Sequence, residues 1–506
     1  MHNYMKVLGI SVICLLLGFG QAFAKGDTLT VGVTQTPKTL DPQATSDAGS
    51  QNIDMQIYET LVTMDKDNNL VPMLAEKWEA LPDKVSYKFH LKKGVKFHNG
   101  ETMTADDVVF TFKRALSPAG VAVKALSMYV ADVEKVDDNT VIMKASQPMG
   151  DTFVVSLCHP WASIMNKKAV ESAGKDYGQN PVGTGRFAFK NWVIGDRVQL
   201  ERFDAYHGEK AKLKNLVYRT IVEASSRTIE LESGAVDMIM DPAPNDISRI
   251  KDNAKLEVVS VPSCRLYYIG LDVTHPPYDN LKVREAMNLA VDRAGIVKIV
   301  FRGNAEPARG PITSAIKYNK YNETAPIKKD PAKAKELLKE AGFPNGFKGK
   351  LLISDRTDYT NIATILQANF KEVGIDMSIE VFEWGTFLDV IRKQGHEPFL
   401  NNWWGGAPAM DPFFLMTPPF HSSAIGQTNR HYFKDAVVDA SLDAGASLPD
   451  GPERAAVYQK AWDRINEQLP WISMVQPLNL YAQAKGLKGI DHSPSILNYL
   501  GNAYFE

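Results

Sequence analysis

The sequence predicts an α/β protein of about three folding units. Three observations carry this. Residues 216–222 (LVYRTIV) read as a strand, 225–233 as a helix that stops at Gly234, and 236–240 (VDMIM) as a buried strand. Strand, helix and strand joined by short loops are α/β packing. Residues 85–116 form a β-β-α unit. Val85, Tyr87, Phe89 and Leu91 alternate with Ser86, Lys88, His90 and Lys92, Gly94 interrupts, and a short second strand is expected through Val95 and Phe97. The chain of 506 residues is also too long for a single core.

The elements follow in order. Lys6 is the one basic residue in the first 24; residues 7–20 are apolar, and Ala22-Phe23-Ala24 suits cleavage, so 1–24 reads as a signal peptide. The apolar run is shorter than the roughly 20 residues a membrane helix needs. Residues 28–34 are β-rich. Thr104, with Asp107 three residues on, nearly makes a capping box for a helix that Pro118 ends. Residues 130–145 predict two strands about Asp137-Asp138-Asn139. Residues 186–201 alternate as strands, so Gly183-Thr184-Gly185 before them is a turn and not a dinucleotide loop. Residues 258–273 alternate again, and 282–300 have helical spacing. Asp330-Pro331 starts a helix stopped by Gly342. Strands are expected at 351–354 and 377–382, and helices at 362–373 and 453–467.

Composition excludes some functions. There are 57 basic and 59 acidic residues and no basic tract, so nucleic acid is not expected as a partner. No HExxH, GxSxG or P-loop occurs. Cys158 and Cys264 follow the leader; an oxidising compartment permits a bridge, but two buried thiols are the better expectation. His159 is expected to be a hydrogen-bonded structural residue and His421 and His431 solvated loop residues; lacking clustered partners, none is expected to be a metal ligand.

The wording adds a resemblance. LAEKWE, LKKGVKFHNGETMTADDVVFTFKRAL, NPVGTG, DNLKVREAMNLAVDR and DPAKAKELLKEAGFPNGF resemble the family 5 periplasmic solute-binding proteins of ABC importers, the receptors for peptides, glutathione and nickel chelates. The likeness runs from about residue 28 to about 490. It implies a class II, bilobed periplasmic-binding-protein fold of the large peptide-receptor type, with an extra subdomain in the first lobe. Residues 25–57, 186–270 and 478–506 would form lobe I, 58–185 the subdomain and 271–477 lobe II. It implies a non-enzymatic, monomeric periplasmic protein that captures a small peptide or peptide-like carboxylated solute by hinge closure. The solute then passes to an inner-membrane permease, with no cofactor and no metal. A nickel chelate or an opine is the alternative solute; a secreted hydrolase is a more distant reading.

The resemblance also points to site residues. Thr45, Ser46 and Asp47 stand where the family's loop meets ligand, although Ser and Asp before a helix are equally a capping loop. Arg356 matches an arginine that holds a ligand carboxylate, a task suited to its rigid fork of donors; pairing with Asp355 or Asp358 is the plainer reading. Trp384 and Trp404 match aromatic walls, or else core. Gly405 and Gly406 allow close approach. Ala407 departs from the pattern, because peptide receptors place there an aspartate that pairs with the ligand's amine. Asp47, Asp355 or Asp411 would have to substitute, since a buried ammonium without a counter-charge is costly.

Overall fold

The computed structural model describes residues 26–117, 126–403, 410–495 and 497–506. The leader at 1–24 and Trp404, Gly405, Gly406 and Ala407 lie outside the described residues.

A long strand, Trp471–Ala484, organises a twelve-stranded sheet. Its first part pairs antiparallel with Leu266–Gly270, Tyr267 opposite Val475, and with Ala305–Pro307. Its last part pairs antiparallel with Met238–Met240, Met240 opposite Tyr481, and with Leu256–Pro262. The sheet therefore has two halves, and the chain passes between them at Ser263-Cys264-Arg265 and again along the long strand.

Each half contains a parallel set. In one, Thr28–Val33 lies between Asn215–Thr220 and Met238–Met240. In the other, Phe347–Ser354 lies between Ile375–Phe382 and Phe399–Trp403. Met238–Met240 runs against the long strand, so its carboxyl end points at the long strand's middle. Phe399–Trp403 runs against Leu266–Gly270, which itself runs against the long strand, so it points at the same middle from the other side. The ends Val33, Thr220 and Met240 thus oppose Ser354, Phe382 and Trp403. In open α/β sheets the crevice outside the carboxyl ends is where ligands bind. This two-halved α/β arrangement is the bilobed fold expected.

A separate four-stranded sheet is built from Ala75–Ala80, Ser86–Leu91, Thr140–Ala145 and Val130–Asp137. It packs with the helix Ala105–Leu116 around Phe89, Phe97, Phe112 and Phe153. The capping box forms: the Asp107 carboxylate accepts from the Thr104 amide at 3.0 Å. Lys113 and Arg114 occupy the last turn, where positive charge suits the helix dipole. The helix Gly150–Ser156 of this unit reaches the second half of the sheet. Asp151 accepts from the Asp450 amide at 2.8 Å, and Tyr129 packs edge-on against Phe414 at 5.4 Å between ring centres.

Some expectations need correction. The helical run at 282–300 is two helices, Leu281–Ala290 and Arg293–Ile299, because the Asp292 carboxylate accepts from the Gly295 amide at 2.8 Å and caps a new start. The alternating run at 258–273 breaks at Ser263-Cys264-Arg265, where the chain changes halves. Residues 95–97 make only a single bridge, Lys96 to Thr102. Cys158 and Cys264, by contrast, are the two buried thiols expected, with no bridge between them.

The glycine-rich turn at 183–185 has a steric cause. The Gly185 amide donates to the Ile57 carbonyl at 2.8 Å and the His98 amide to the Gly183 carbonyl at 2.9 Å, so the turn lies flat on the end of the helix Ala48–Ile57. A Cβ on Gly183 would stand 2.1 Å from the Ile57 oxygen. That neighbour is backbone and cannot swing aside. Gly183→Ala is expected to cost about 1–3 kcal/mol, the usual range for forced overpacking. Urea unfolding measures it, and an unchanged midpoint would contradict the packing described.

Candidate ligand-binding site

The strand Phe347–Ser354 delivers Asp355 and Arg356 to the crevice, and Arg356 is the N-cap of the helix Thr357–Glu372. Its guanidinium is held on one edge. Nε donates to Asp358 Oδ1 at 3.0 Å and Nη2 to Oδ2 at 2.8 Å. Its plane lies over the Tyr359 ring, 4.7 Å from the centre. Asp358 Oδ2 also accepts from the Tyr267 hydroxyl at 2.6 Å, and the Tyr359 hydroxyl donates to Asn401 at 2.9 Å. Burial works to raise the Asp358 carboxyl, but the Arg356 and Tyr267 hydrogen bonds outweigh it and hold the group below the usual carboxylate range. Asp358 in turn keeps Arg356 protonated against partial burial.

Arg356 therefore makes the intramolecular pair that was its plainer reading. The pair does not exhaust it. A guanidinium has five N–H donors, and Asp358 takes one from Nε and one from Nη2. Among the described residues nothing takes the two on Nη1 or the second on Nη2, along the outer edge where a second carboxylate meets the fork. The side chain is 46% exposed, so that edge is reachable.

At the neighbouring strand end, Glu383 caps the helix Trp384–Val390, accepting from the Gly385 amide at 2.7 Å. This leaves Trp384, at 43% exposure, as a large apolar ring at the crevice rim, stacked at 5.8 Å on the buried Phe387. Of its two expected roles, wall and core, its exposure favours the wall.

On the opposing half, Thr45, Ser46 and Asp47 form a capping loop. Asp47 accepts from the Ser50 amide and hydroxyl, both at 2.9 Å, and from the Thr45 hydroxyl. Thr45 is buried, and its carbonyl accepts from Trp161 Nε1 at 2.8 Å. Trp161 stacks on His159 at 3.9 Å. Sequence reading missed this pair as a support for the loop, although the His-Pro-Trp run was its signal. Ser46 alone of the three is exposed.

Two of the three substitute carboxylates are thus engaged. Asp47 is spent on its helix. Asp411 is buried and pairs with Arg454 at 2.6 and 3.0 Å, while capping the helix Pro412–Phe420. Asp355 is exposed, and its carboxylate takes no hydrogen bond or ion pair among the described residues. Asp358 is one of the two partners expected for Arg356, and Tyr267 is an addition to the expected site. Its signal was the Tyr267-Tyr268 pair within an alternating run, which turns the two rings to opposite faces.

The histidines lie elsewhere. His421 Nδ1 bonds the Ser423 hydroxyl at 2.7 Å, and His431 is buried among Tyr268, Phe399, Phe420 and Trp471. Among the described residues no three His, Cys, Asp or Glu side chains are grouped to hold a metal. A surface hollow of about 430 Å³ on the helix Pro452–Gln468 is lined by groups that pair with one another, Lys320 with Asp463 among them, and by no residue of the strand ends.

Comparison with known proteins agrees with this geometry. The chain is 31% identical over 499 residues to the glutathione-binding protein GsiB of Salmonella choleraesuis, covering 96% of each. The structure of HbpA2 from Haemophilus parasuis superposes with a TM-score of 0.87 at 27% identity, covering 95% of this chain and all of that one. The periplasmic binding protein DppA from Helicobacter pylori, solved with the peptide STSA, superposes with a TM-score of 0.76 at 28% identity, covering 95% and 98%. Residues 69–426 match the pattern of the bacterial extracellular solute-binding proteins, family 5 Middle. With opposed strand ends around one long crossing strand and that match over most of its length, the chain belongs to the family 5 solute-binding proteins, the substrate-binding components of ABC import systems.

Proposed function

We propose that this protein is a non-catalytic, monomeric periplasmic receptor for a small peptide or peptide-like solute bearing a carboxylate. The leader at 1–24 directs export and is cleaved. Lobe I (25–57, 186–265 and 478–506, its boundary set by the crossing at 263–265 and not at 270) with its subdomain (58–185) closes on lobe II (266–477), and the closed form presents the solute to an inner-membrane permease. Ser46, Arg356, Trp384 and the segment Trp404, Gly405, Gly406 and Ala407 contact the solute, while Asp47 and buried Thr45 support Ser46 from within the capping loop.

One observation carries this reading: a guanidinium at the strand ends, fixed on one edge by Asp358 and on one face by Tyr359, with its outer edge unspent. Pre-organisation of this kind lowers the entropy cost of receiving a planar acid. The relatives that bind glutathione and a peptide support the solute class. Closure gains free energy only where the closed state adds contacts, and an acid bridging from Arg356 to the opposite lobe supplies them.

Arg356→Ala is expected to weaken binding of a carboxylated solute by at least ~1.5 kcal/mol, about tenfold or more, with the fold intact. The readout is tryptophan fluorescence, since Trp384 is exposed at the rim and loses water on closure. Equal affinities for wild type and variant would remove Arg356 from the site, and turnover of the solute would favour the hydrolase.

A further inference from the structure

The chain enters the four-stranded unit after the helix Ala48–Ile57 and leaves it before the strand Phe187–Val193, which belongs to the lobe I half of the sheet. The two ends are pinned together by the Gly185–Ile57 hydrogen bond. The unit is thus covalently an outgrowth of lobe I. Polar contacts fix it there. Arg114 pairs with Asp41 at 2.6 Å, Gln43 Nε2 donates to the Thr111 carbonyl at 3.0 Å, and Trp161 Nε1 donates to the Thr45 carbonyl.

The unit also meets lobe II, where no chain joins the two, and there the contact is packed as an interior is. Val155 is 3% exposed, and with Met64, Leu70 and Tyr129 it packs in the apolar cluster of Phe414 and Trp462. The buried Thr152 hydroxyl accepts from Arg454 Nη2 at 2.6 Å. A Cβ on Gly150 would stand 2.5 Å from the Ser447 oxygen, so helix and lobe touch backbone to backbone. Close-packed contacts of this kind hold or part; they do not stretch. When lobe I rotates against lobe II about the two crossings of the chain, one of the unit's attachments has to give. The lobe I attachment includes the chain itself, so the lobe II attachment is the one that parts.

We propose that the helix Gly150–Ser156, together with Tyr129, is a clasp that docks on lobe II as the lobes close and leaves it as they open. This deepens the receptor reading above and rests on it. The solute-free protein is mainly open, and the solute supplies the part of the closing free energy that the clasp does not. Apparent affinity falls with the fraction of molecules in the competent, closed state. None of the clasp side chains stands at the opposed strand ends. The clasp therefore scales the affinity of every solute alike, while Arg356 and Trp384 choose among solutes.

The test follows a thiol placed in the contact. Val155→Cys is labelled with iodoacetamide in the mature protein, with Cys158→Ala so that it is read alone on its peptide. Ala115→Cys, a thiol in the unit's own core, is the control. Without solute, Val155→Cys is expected to label at least about tenfold faster than the control, because parting of the clasp is local and far commoner than unfolding. Saturating S-methylglutathione or trialanine should slow it at least about tenfold, by holding the clasp shut. Tyr129→Ala, in otherwise wild-type protein, should weaken both solutes by one common factor of about five or more, since it removes edge-on ring contacts made only in the closed state. If Val155→Cys labels no faster than the control, the contact is permanent, the unit travels with lobe II and the clasp is overturned, while the receptor reading stands. Solutes that bind by calorimetry but do not slow labelling also overturn it, as do unequal losses from Tyr129→Ala, which would place that ring on the solute. If calorimetry finds neither solute bound, the receptor reading fails for them and the labelling without solute alone decides the clasp.

Discussion

Replacing Arg454 with alanine is expected to lower the unfolding free energy by about 3–5 kcal/mol, the cost of leaving one member of a buried ion pair alone. Arg454 and Asp411 are 1% and 2% exposed. The pair is bidentate, and two of the three remaining donors are also used. Nε donates to the Gly445 carbonyl at 2.8 Å and Nη2 to the Thr152 hydroxyl at 2.6 Å. The Tyr458 ring covers the guanidinium at 5.3 Å. Truncation would strand the Asp411 carboxylate where water does not reach it, and would cut the hydrogen bond that joins the helix Gly150–Ser156 to the second half of the sheet. The double variant Arg454→Met, Asp411→Leu removes both charges and should recover much of the loss, because apolar side chains of similar volume often replace a buried pair at little cost. Urea unfolding decides. A loss under about 1 kcal/mol for Arg454→Ala would mean that water reaches Asp411 after all.

What the sequence disclosed and what it hid follow from the range of the forces involved. Caps, stops and alternation act within a few residues, so the Thr104–Asp107 box, the Asp330 cap and the stop at Gly342 were legible. The Asp411 cap was legible too, but its larger role was not, since Arg454 lies 43 positions away. Helical spacing ran unbroken through 282–300 because periodicity does not register a cap in mid-run; Asp292 was the signal that competed and won. The strand Ala75–Ala80 escaped because most of its side chains face water and it offers little alternation. Arg356 was found by likeness to a pattern, and its pairing with Asp358 by adjacency. The parts of a site fixed by tertiary hydrogen bonds are the parts a single sequence does not spell out.

Acid is expected to destabilise this protein well above the pH at which its carboxylates titrate. Burial pushes His98 and His492 down to about 4 and His159 down to about 3, and holds His431 well below the ordinary 6.5. A histidine with a depressed folded-state pKa is neutral in the fold and charged in the unfolded chain as pH drops below about 6.5. Its contribution is fully present above that pH and is lost on the way down to its folded value. For His98 alone the loss is roughly 3 kcal/mol, taking ~1.4 kcal/mol per unit. Asp54 works the other way. Burial, with Asp41 and Asp47 nearby, raises it, so the folded state holds a proton that the unfolded chain releases, and acid relieves that cost. Burial raises Asp107 as well, and two carboxyls do not offset four imidazoles. The unfolding free energy is therefore expected to fall by several kcal/mol between pH 6.5 and about 4. His431→Phe gives the sharper test. Rings of Tyr268, Phe399, Phe420 and Trp471 stand 5.6–6.1 Å from the His431 ring, and its Nδ1 has no hydrogen-bond partner among the described residues. Phenylalanine would fill that space and cannot titrate, but it gives up the ring's hydrogen bond with the Leu271 backbone, so the variant should lose part of the slope at a cost of about 1 kcal/mol at pH 7. Urea midpoints that stay level from pH 7 to 5 in wild type would show that these imidazoles are hydrated and protonate freely within the fold.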